Sequence, residues 1–123
     1  MIRLLVCGGR TYFDGEHVYR TLDRVKAKHE IEVLIQGGAR GADELAKCWA
    51  LAKGVPWVGF PIDHALDGPW PGAGPARNRH MLHEGKPTAV VAFPSTGTGT
   101  DHMCRIAGEA GVKVWRVKPP TKS

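Results

Sequence analysis

One stretch restricts the fold more than any other: Val33 to Lys53, V-L-I-Q-G-G-A-R-G-A-D-E-L-A-K-C-W-A-L-A-K. Val33-Leu34-Ile35 is an apolar, β-branched run with the length of a buried strand. Gly37, Gly38 and Gly41 follow at once. Ala42, Leu45, Ala46 and Trp49 then fall at i, i+3, i+4 and i+7, which is one face of a helix. The stretch therefore reads as strand, glycine-rich turn and helix. Such a turn lets backbone N–H groups approach an anion, and the helix adds the positive end of its dipole. Arg40, inside the turn, could supply a guanidinium fork for phosphate. The plainer alternative is a tight turn with Arg40 solvated. A second turn of the same kind later in the chain favours the anion-binding alternative.

The alternation recurs along the chain. Ile2 to Cys7 reads as a first strand, closed by Gly8-Gly9-Arg10-Thr11. Asp14 is placed to cap a helix striped by Val18, Leu22 and Val25 and running to about His29. Ile31 to Gln36 is the second strand, and its helix stops near Gly54. Val55 to Phe60 is a third strand, with Pro56 at its start, which suits an edge. Residues 61–75 form one long irregular stretch rich in proline and glycine and holding Trp70. A loop of that length in a small domain is usually functional or mobile. Pro75 suits the first turn of a short helix, Ala76 to about Glu84. Thr88 to Phe93 is the fourth strand, and residues 94–100 are the second glycine-rich turn. Met103, Ile106, Ala107 and Ala110 stripe a fourth helix, stopped by Gly111. Lys113 to Val117 is the last strand.

Strands alternating with helices imply right-handed crossovers and a parallel sheet covered on both faces. We expect a single Rossmann-like α/β domain over residues 1–118. Its five-stranded, mainly parallel sheet carries helices on both faces, and residues 119–123 form a frayed tail. Ligands of such sheets sit beyond the carboxyl ends of the strands, near the topological switch point. The turns Gly8-Gly9, Gly37 to Gly41 and Gly97-Thr98-Gly99 all lie at such ends, so they are expected to converge on one rim.

Composition narrows the class. The 123 residues suit one domain. With 42% apolar and 24% charged residues the chain can pack a core. A net charge of +5 favours anionic partners such as nucleotides or nucleic acid. The 17 basic residues are spread out rather than clustered, which reads as solvated surface. Cys7, Cys48 and Cys104 are far apart in sequence, so buried free thiols in a reducing cytoplasm are expected. The apolar run at the N-terminus is too short for a signal peptide or a membrane span. A cytoplasmic protein without membrane contact is the expectation.

Several residues near the rim could carry chemistry. Arg10, Arg40, Arg77 and Arg79, with the hydroxyls of Thr98 and Thr100, suit a phosphate or ribose-phosphate ligand. Thr98 or Thr100 is also expected to cap the following helix. The G-x-G-x-x-G fingerprint is absent after the first strand, which counts against hydride transfer. No cofactor is implied. Asp43, in the first turn of the second helix, could accept a ribose hydroxyl or simply complement the helix dipole, as Glu44 does. Asp101 has the same two roles at the fourth helix. His80 and His83, at i and i+3, could hold a metal, but no third ligand has a place, so no metal site is expected. His102 could act as an acid or base near the second turn, with a surface helix histidine the commoner alternative. Trp70 reads as an anchor for its loop, with base stacking the alternative. Trp49 and Trp57 read as core. No nucleophile stands out.

Four motifs occur in order: Val6-Cys7-Gly8-Gly9-Arg10, Gly37-Gly38-Ala39-Arg40-Gly41-Ala42-Asp43, Gly74-Pro75-Ala76-Arg77-Asn78-Arg79-His80-Met81 and Gly97-Thr98-Gly99-Thr100. Together they resemble the SLOG superfamily, and within it the YspA, cpYpsA-related branch, over nearly the whole chain. The resemblance implies a Rossmann-like fold that binds nucleotide-derived ligands, as a sensor or processing module in phage or bacterial defence contexts. The converging turns and arginines, together with these motifs, point to Gly8, Gly9, Arg10, Gly37, Gly38, Arg40, Gly41, Asp43, Arg77, Asn78, Gly97, Thr98, Gly99 and Thr100 as ligand-binding residues. The expected partner is a nucleotide-like small molecule, and the protein is expected to be a homo-oligomer.

Two relatives suggest alternatives. Gly38 to Asp43 is similar to the motif of the DNA-processing protein DprA, which implies single-stranded nucleic acid as a partner. Gly97 to Thr100 is similar to the turn of LOG-type phosphoribohydrolases, which implies hydrolysis of N-glycosidic or phosphoribosyl bonds. Those enzymes carry Pro-Gly-Gly-x-Gly-Thr and a catalytic glutamate on the next helix. Here Ser95 and Thr96 replace glycines, the turn is one residue longer, and Met103 stands at the glutamate position. Asp101 and Arg77 are then the available catalytic candidates, with Arg79 a second basic residue and Glu109 a more distant carboxylate.

Overall fold

A computed structural model describes residues 1–119. The chain runs β1 (Ile2–Cys7), α1 (Gly15–Lys28), β2 (Ile31–Gln36), α2 (Ala42–Lys53), β3 (Trp57–Gly59), α3 (His64–Asp67), α4 (Ala73–Gly85), β4 (Ala89–Ala92), α5 (Gly99–Glu109) and β5 (Lys113–Arg116). The sheet order is β3-β2-β1-β4-β5, and every pairing is parallel. The expected α/β domain is therefore present, with a wholly parallel sheet. The chain winds outward from β1 to β3, then returns to β4 beside β1 and winds the other way. The switch point lies between β1 and β4.

Side chains alternate across each strand, so one strand feeds two cores. Leu4, Val6, Leu34 and Val91 face α1 and α2, where Val18, Leu22 and Trp49 complete one fully buried cluster. Leu5, Cys7, Ile35 and Val90 face the opposite way and pack with Met81, Met103 and Ala107 of α4 and α5. The boundaries follow local chemistry. Asp14 accepts a hydrogen bond from the His17 N–H at 3.0 Å and caps α1. Gly54 ends α2 in a left-handed conformation.

Four expectations need correction. Residues 61–75 are not irregular throughout. Asp63 accepts from the Ala65 N–H at 3.0 Å and caps the four-residue helix α3. The next helix starts at Ala73 rather than Ala76, with Pro75 still in its first turn. A helix as short as α3 has no periodicity for a sequence pattern to register. Trp57 is not core: β3 is an edge strand, and the indole is 38% exposed beneath Lys47, whose Nζ is 4.7 Å from the ring centre. Cys48 is exposed on α2, so only Cys7 and Cys104 are buried thiols. Of the expected tail, residues 120–123 lie outside the described residues. Among the described residues no helix is long and apolar enough to cross a membrane.

Candidate functional site

A cleft of about 640 Å³ opens at the carboxyl ends of β1 and β4, over the switch point. Its first wall is the β1–α1 turn, with Gly8, Gly9, Arg10 and Thr11. The facing wall is the β4–α5 turn, Ser95 to Gly99, together with the start of α5. The α4 residues Arg77, Asn78 and Met81 form a third side, and Trp70 stands at the edge.

The turns interlock through their backbones. The Gly9 N–H donates to the Pro94 carbonyl at 3.1 Å, and the Gly9 carbonyl accepts from the Tyr12 and Ala42 N–H groups at 3.1 and 3.2 Å. This needs close approach. A Cβ at Gly8 would lie 2.6 Å from the Ala42 Cβ, and one at Gly41 only 2.2 Å from the Gly9 carbonyl oxygen. Gly41 also has φ +75°, a region that L side chains rarely adopt. Thr98 occupies the N-cap of α5, yet no side chain caps this helix. The expected threonine cap is thus not made. Orphan N–H groups at the α5 terminus remain for another acceptor.

The sequence-derived site residues divide into two groups. Gly8, Gly9, Arg10, Asp43, Arg77 and Asn78 line the cleft, as do Gly97, Thr98, Gly99 and Thr100. Gly37, Gly38, Arg40 and Gly41 do not. Gly37 lies beneath the wall: its N–H donates to the Asp43 carboxylate at 3.1 Å and its carbonyl accepts from Arg77. Gly38 and Arg40 are exposed outside the cleft, and Gly41 is buried against the first turn. The rim therefore forms mainly from the turns after β1 and β4, while the turn after β2 reaches the cleft through Ala39 alone and otherwise supports it from behind. Arg79, also placed near the rim, is exposed outside the cleft lining.

Asp43 is a buried carboxylate, 6% exposed. Its Oδ2 accepts from the Gly37 and Ala39 N–H groups at 3.1 and 3.3 Å. Burial holds its carboxyl above the ordinary value, while those N–H groups and the Arg77 and Arg10 guanidiniums pull the other way. Arg77 Nη1 donates to the carbonyls of Gly37 and Phe60, and its Nε to Asn78 Oδ1. Burial lowers its pKa, opposed by Asp43. Asn78 in turn donates to the Gly99 carbonyl at 3.1 Å and bonds His102 Nδ1 at 3.1 Å. An amide nitrogen only donates, so Nδ1 accepts and the neutral ring carries its proton on Nε2. His102 lines the cleft rather than the outer surface, and burial holds its pKa below the usual value, helped by Arg105 and Arg79. Its pairing with Asn78 depends on the approach of α4 to α5, which no local pattern encodes.

The other candidates find different partners. Asp101 points to Arg116 at 2.7 Å, outside the cleft lining, and Glu109 pairs with Arg105 at 3.4 Å. Met103 is buried and lines the floor. His80 Nδ1 lies 2.6 Å from the buried Asp67 carboxylate and pins α3 to α4, while His83 is exposed. Among the described residues no three His, Cys, Asp or Glu side chains gather as a metal site would require. Cys7 and Cys104 are distant in sequence but pack into one buried cluster, with Cys7 also lining the cleft. The neighbouring Cys104 thiol and burial hold the Cys7 thiol well above its ordinary value. The same neighbourhood brings Cys104 to about 7 against its burial, with Arg116 adding to the fall. Trp70 is 55% exposed, so it does not anchor its loop in the core as expected.

Comparison with known proteins follows the same geometry. The model of the YspA, cpYpsA-related SLOG family matches residues 2–66, from β1 into α3. That span includes the first wall of the cleft and the supporting turn with Asp43. The Gene 61 protein of Mycobacterium phage D29 is 36% identical over 121 residues, covering 93% of this chain and 94% of that protein. Its similarity therefore extends well beyond the family match.

Proposed function

The chain belongs to the YspA, cpYpsA-related SLOG family, and from that premise we propose that it binds a nucleotide or nucleotide-derived phosphorylated ligand in the switch-point cleft. Its role is that of a sensor or processing module. One observation carries the reading: two backbone turns and the side-chain-uncapped terminus of α5 face each other across a cleft that also holds Arg10. Backbone N–H groups, a helix dipole and a guanidinium are what an oxyanion requires. Hydrolysis of the ligand has less support, since Met103 stands where the LOG-type glutamate would be and Asp101 is paired with Arg116.

A thermal-shift panel of nucleoside mono-, di- and triphosphates tests this, with native mass spectrometry of the freshly purified protein for a retained ligand. A phosphate-bearing nucleotide raises Tm. Arg10→Ala weakens that ligand about ten- to a hundredfold, the worth of one charge-assisted hydrogen bond. Arg40→Ala, outside the cleft, leaves affinity unchanged. A panel in which no nucleotide raises Tm refutes the proposal.

A further inference from the structure

We infer that Trp70 is the wall on which the ligand's nucleobase stacks, so that the cleft selects base-bearing ligands over base-free sugar phosphates. The inference rests on the nucleotide reading above and adds what that reading leaves open: how the cleft distinguishes a nucleotide from any other small phosphate.

The orientation of the indole carries the argument. Trp70 belongs to the loop between α3 and α4 and lines the cleft at its edge. Arg10 belongs to the β1–α1 turn, and its Cζ lies 5.9 Å over the Trp70 ring centre. Both residues line the cleft, so the guanidinium and the ring it covers meet at the cleft's edge. His64 packs against the indole in a T-shaped pair, with centroids 5.4 Å apart and planes at 72°. Gly74, in the first turn of α4, lies beside the benzo ring, where an added Cβ would stand in ordinary contact, 3.9 Å from Trp70 Cζ3. Even with these neighbours and Arg10, the residue stays 55% exposed.

Energetics point the same way. A tryptophan more than half exposed forgoes much of the burial that would justify it as a structural residue. Its exposed face already attracts a planar cation, which a base can replace, because every nucleobase has a π-face. Displaced from the indole, the Arg10 guanidinium remains in the cleft and can turn to the phosphate. Base and phosphate would then bind at opposite ends of one site, with Arg10 passing from one role to the other.

The test measures adenosine 5′-monophosphate and ribose 5-phosphate against the intact protein, Trp70→Ala and Trp70→Phe, by calorimetry. Circular dichroism checks the fold, which an exposed side chain should leave intact. Trp70→Ala weakens the nucleotide roughly five- to a hundredfold, Trp70→Phe weakens it less, and ribose 5-phosphate is unaffected by either. Equal nucleotide affinity in all three proteins overturns the inference while leaving the cleft reading intact. Equal weakening of both ligands also overturns it, since Trp70 would then only shape the loop. If neither ligand, nor any nucleotide of the earlier panel, binds the intact protein, the functional reading fails and takes this inference with it.

Discussion

Gly41→Ala should damage the protein out of proportion to its one added methyl group. The residue has φ +75° and ψ −126°, and an alanine there costs about 1–3 kcal/mol from the backbone alone. The new Cβ would sit 2.2 Å from the Gly9 carbonyl oxygen and 2.7 Å from the Arg10 carbonyl oxygen. Neither atom is the end of a flexible side chain, so the β1–α1 turn must move as a unit. That movement breaks or stretches the bond from the Ala42 N–H to the Gly9 carbonyl, about 0.5–1.5 kcal/mol more. The total is about 2–4 kcal/mol, or roughly 8–16 °C in Tm for a domain of this size. Urea and thermal unfolding read it directly. Gly108→Ala is the control: it lies in α5 with nothing within 4 Å of the added Cβ, and is expected to stabilise by about 0.5–1 kcal/mol. A Gly41→Ala protein within 0.5 kcal/mol of the parent, at an unchanged urea slope, would show that the two turns are not locked together as described.

The neutral state of His102 gives a pH dependence. Its folded pKa lies below the unfolded value of 6.5, so the stability it contributes is present above that value and is lost as pH falls through the folded one. A bound phosphate favours the imidazolium, so nucleotide affinity should rise as pH falls towards the lowered value of the free protein, and His102→Gln should flatten the rise; equal slopes in both proteins would refute the coupling. Release of free base from nucleoside monophosphates, followed by chromatography, is expected to be weak or absent. Robust turnover that disappears in Asp101→Asn would show that the ion pair with Arg116 opens and that the carboxylate enters the cleft.

Much of this fold was legible because its determinants are local. The β1 and β2 limits, the Asp14 cap and the Gly54 stop each follow from a few neighbouring residues. The site was less legible, because its membership depends on which turns the crossovers bring together. The Gly37-to-Gly41 turn has the composition of an anion loop, yet it follows β2, one strand away from the switch point, and only Ala39 of it lines the cleft. Residue type alone favours a surface place for His102 and an anchoring one for Trp70. Their positions at the cleft follow from the α4–α5 contact and from the approach of Arg10, both of which are long-range. Trp57 departs from the expected core position because a strand pattern does not say which strand will be the edge.

The two arginines of the cleft differ in how far their guanidiniums are committed to the fold. A guanidinium has five N–H donors. In Arg77, Nη1 serves two backbone carbonyls and Nε serves Asn78, which leaves Nη2 for a ligand. Those carbonyls belong to the turn after β2 and to the end of β3, so Arg77 ties α4 to one half of the sheet. Asn78 ties the same helix to α5, in the other half, through the Gly99 carbonyl. The pair bridges the seam at which the winding reverses. Arg10, by contrast, is exposed, and its guanidinium lies over Trp70. A charge stacked on an exposed indole moves at little cost, whereas one committed to buried carbonyls does not. On the reading proposed above, ligand discrimination would fall to the exposed pair Arg10 and Trp70, beside a framework held in place by Arg77, Asn78 and Asp43.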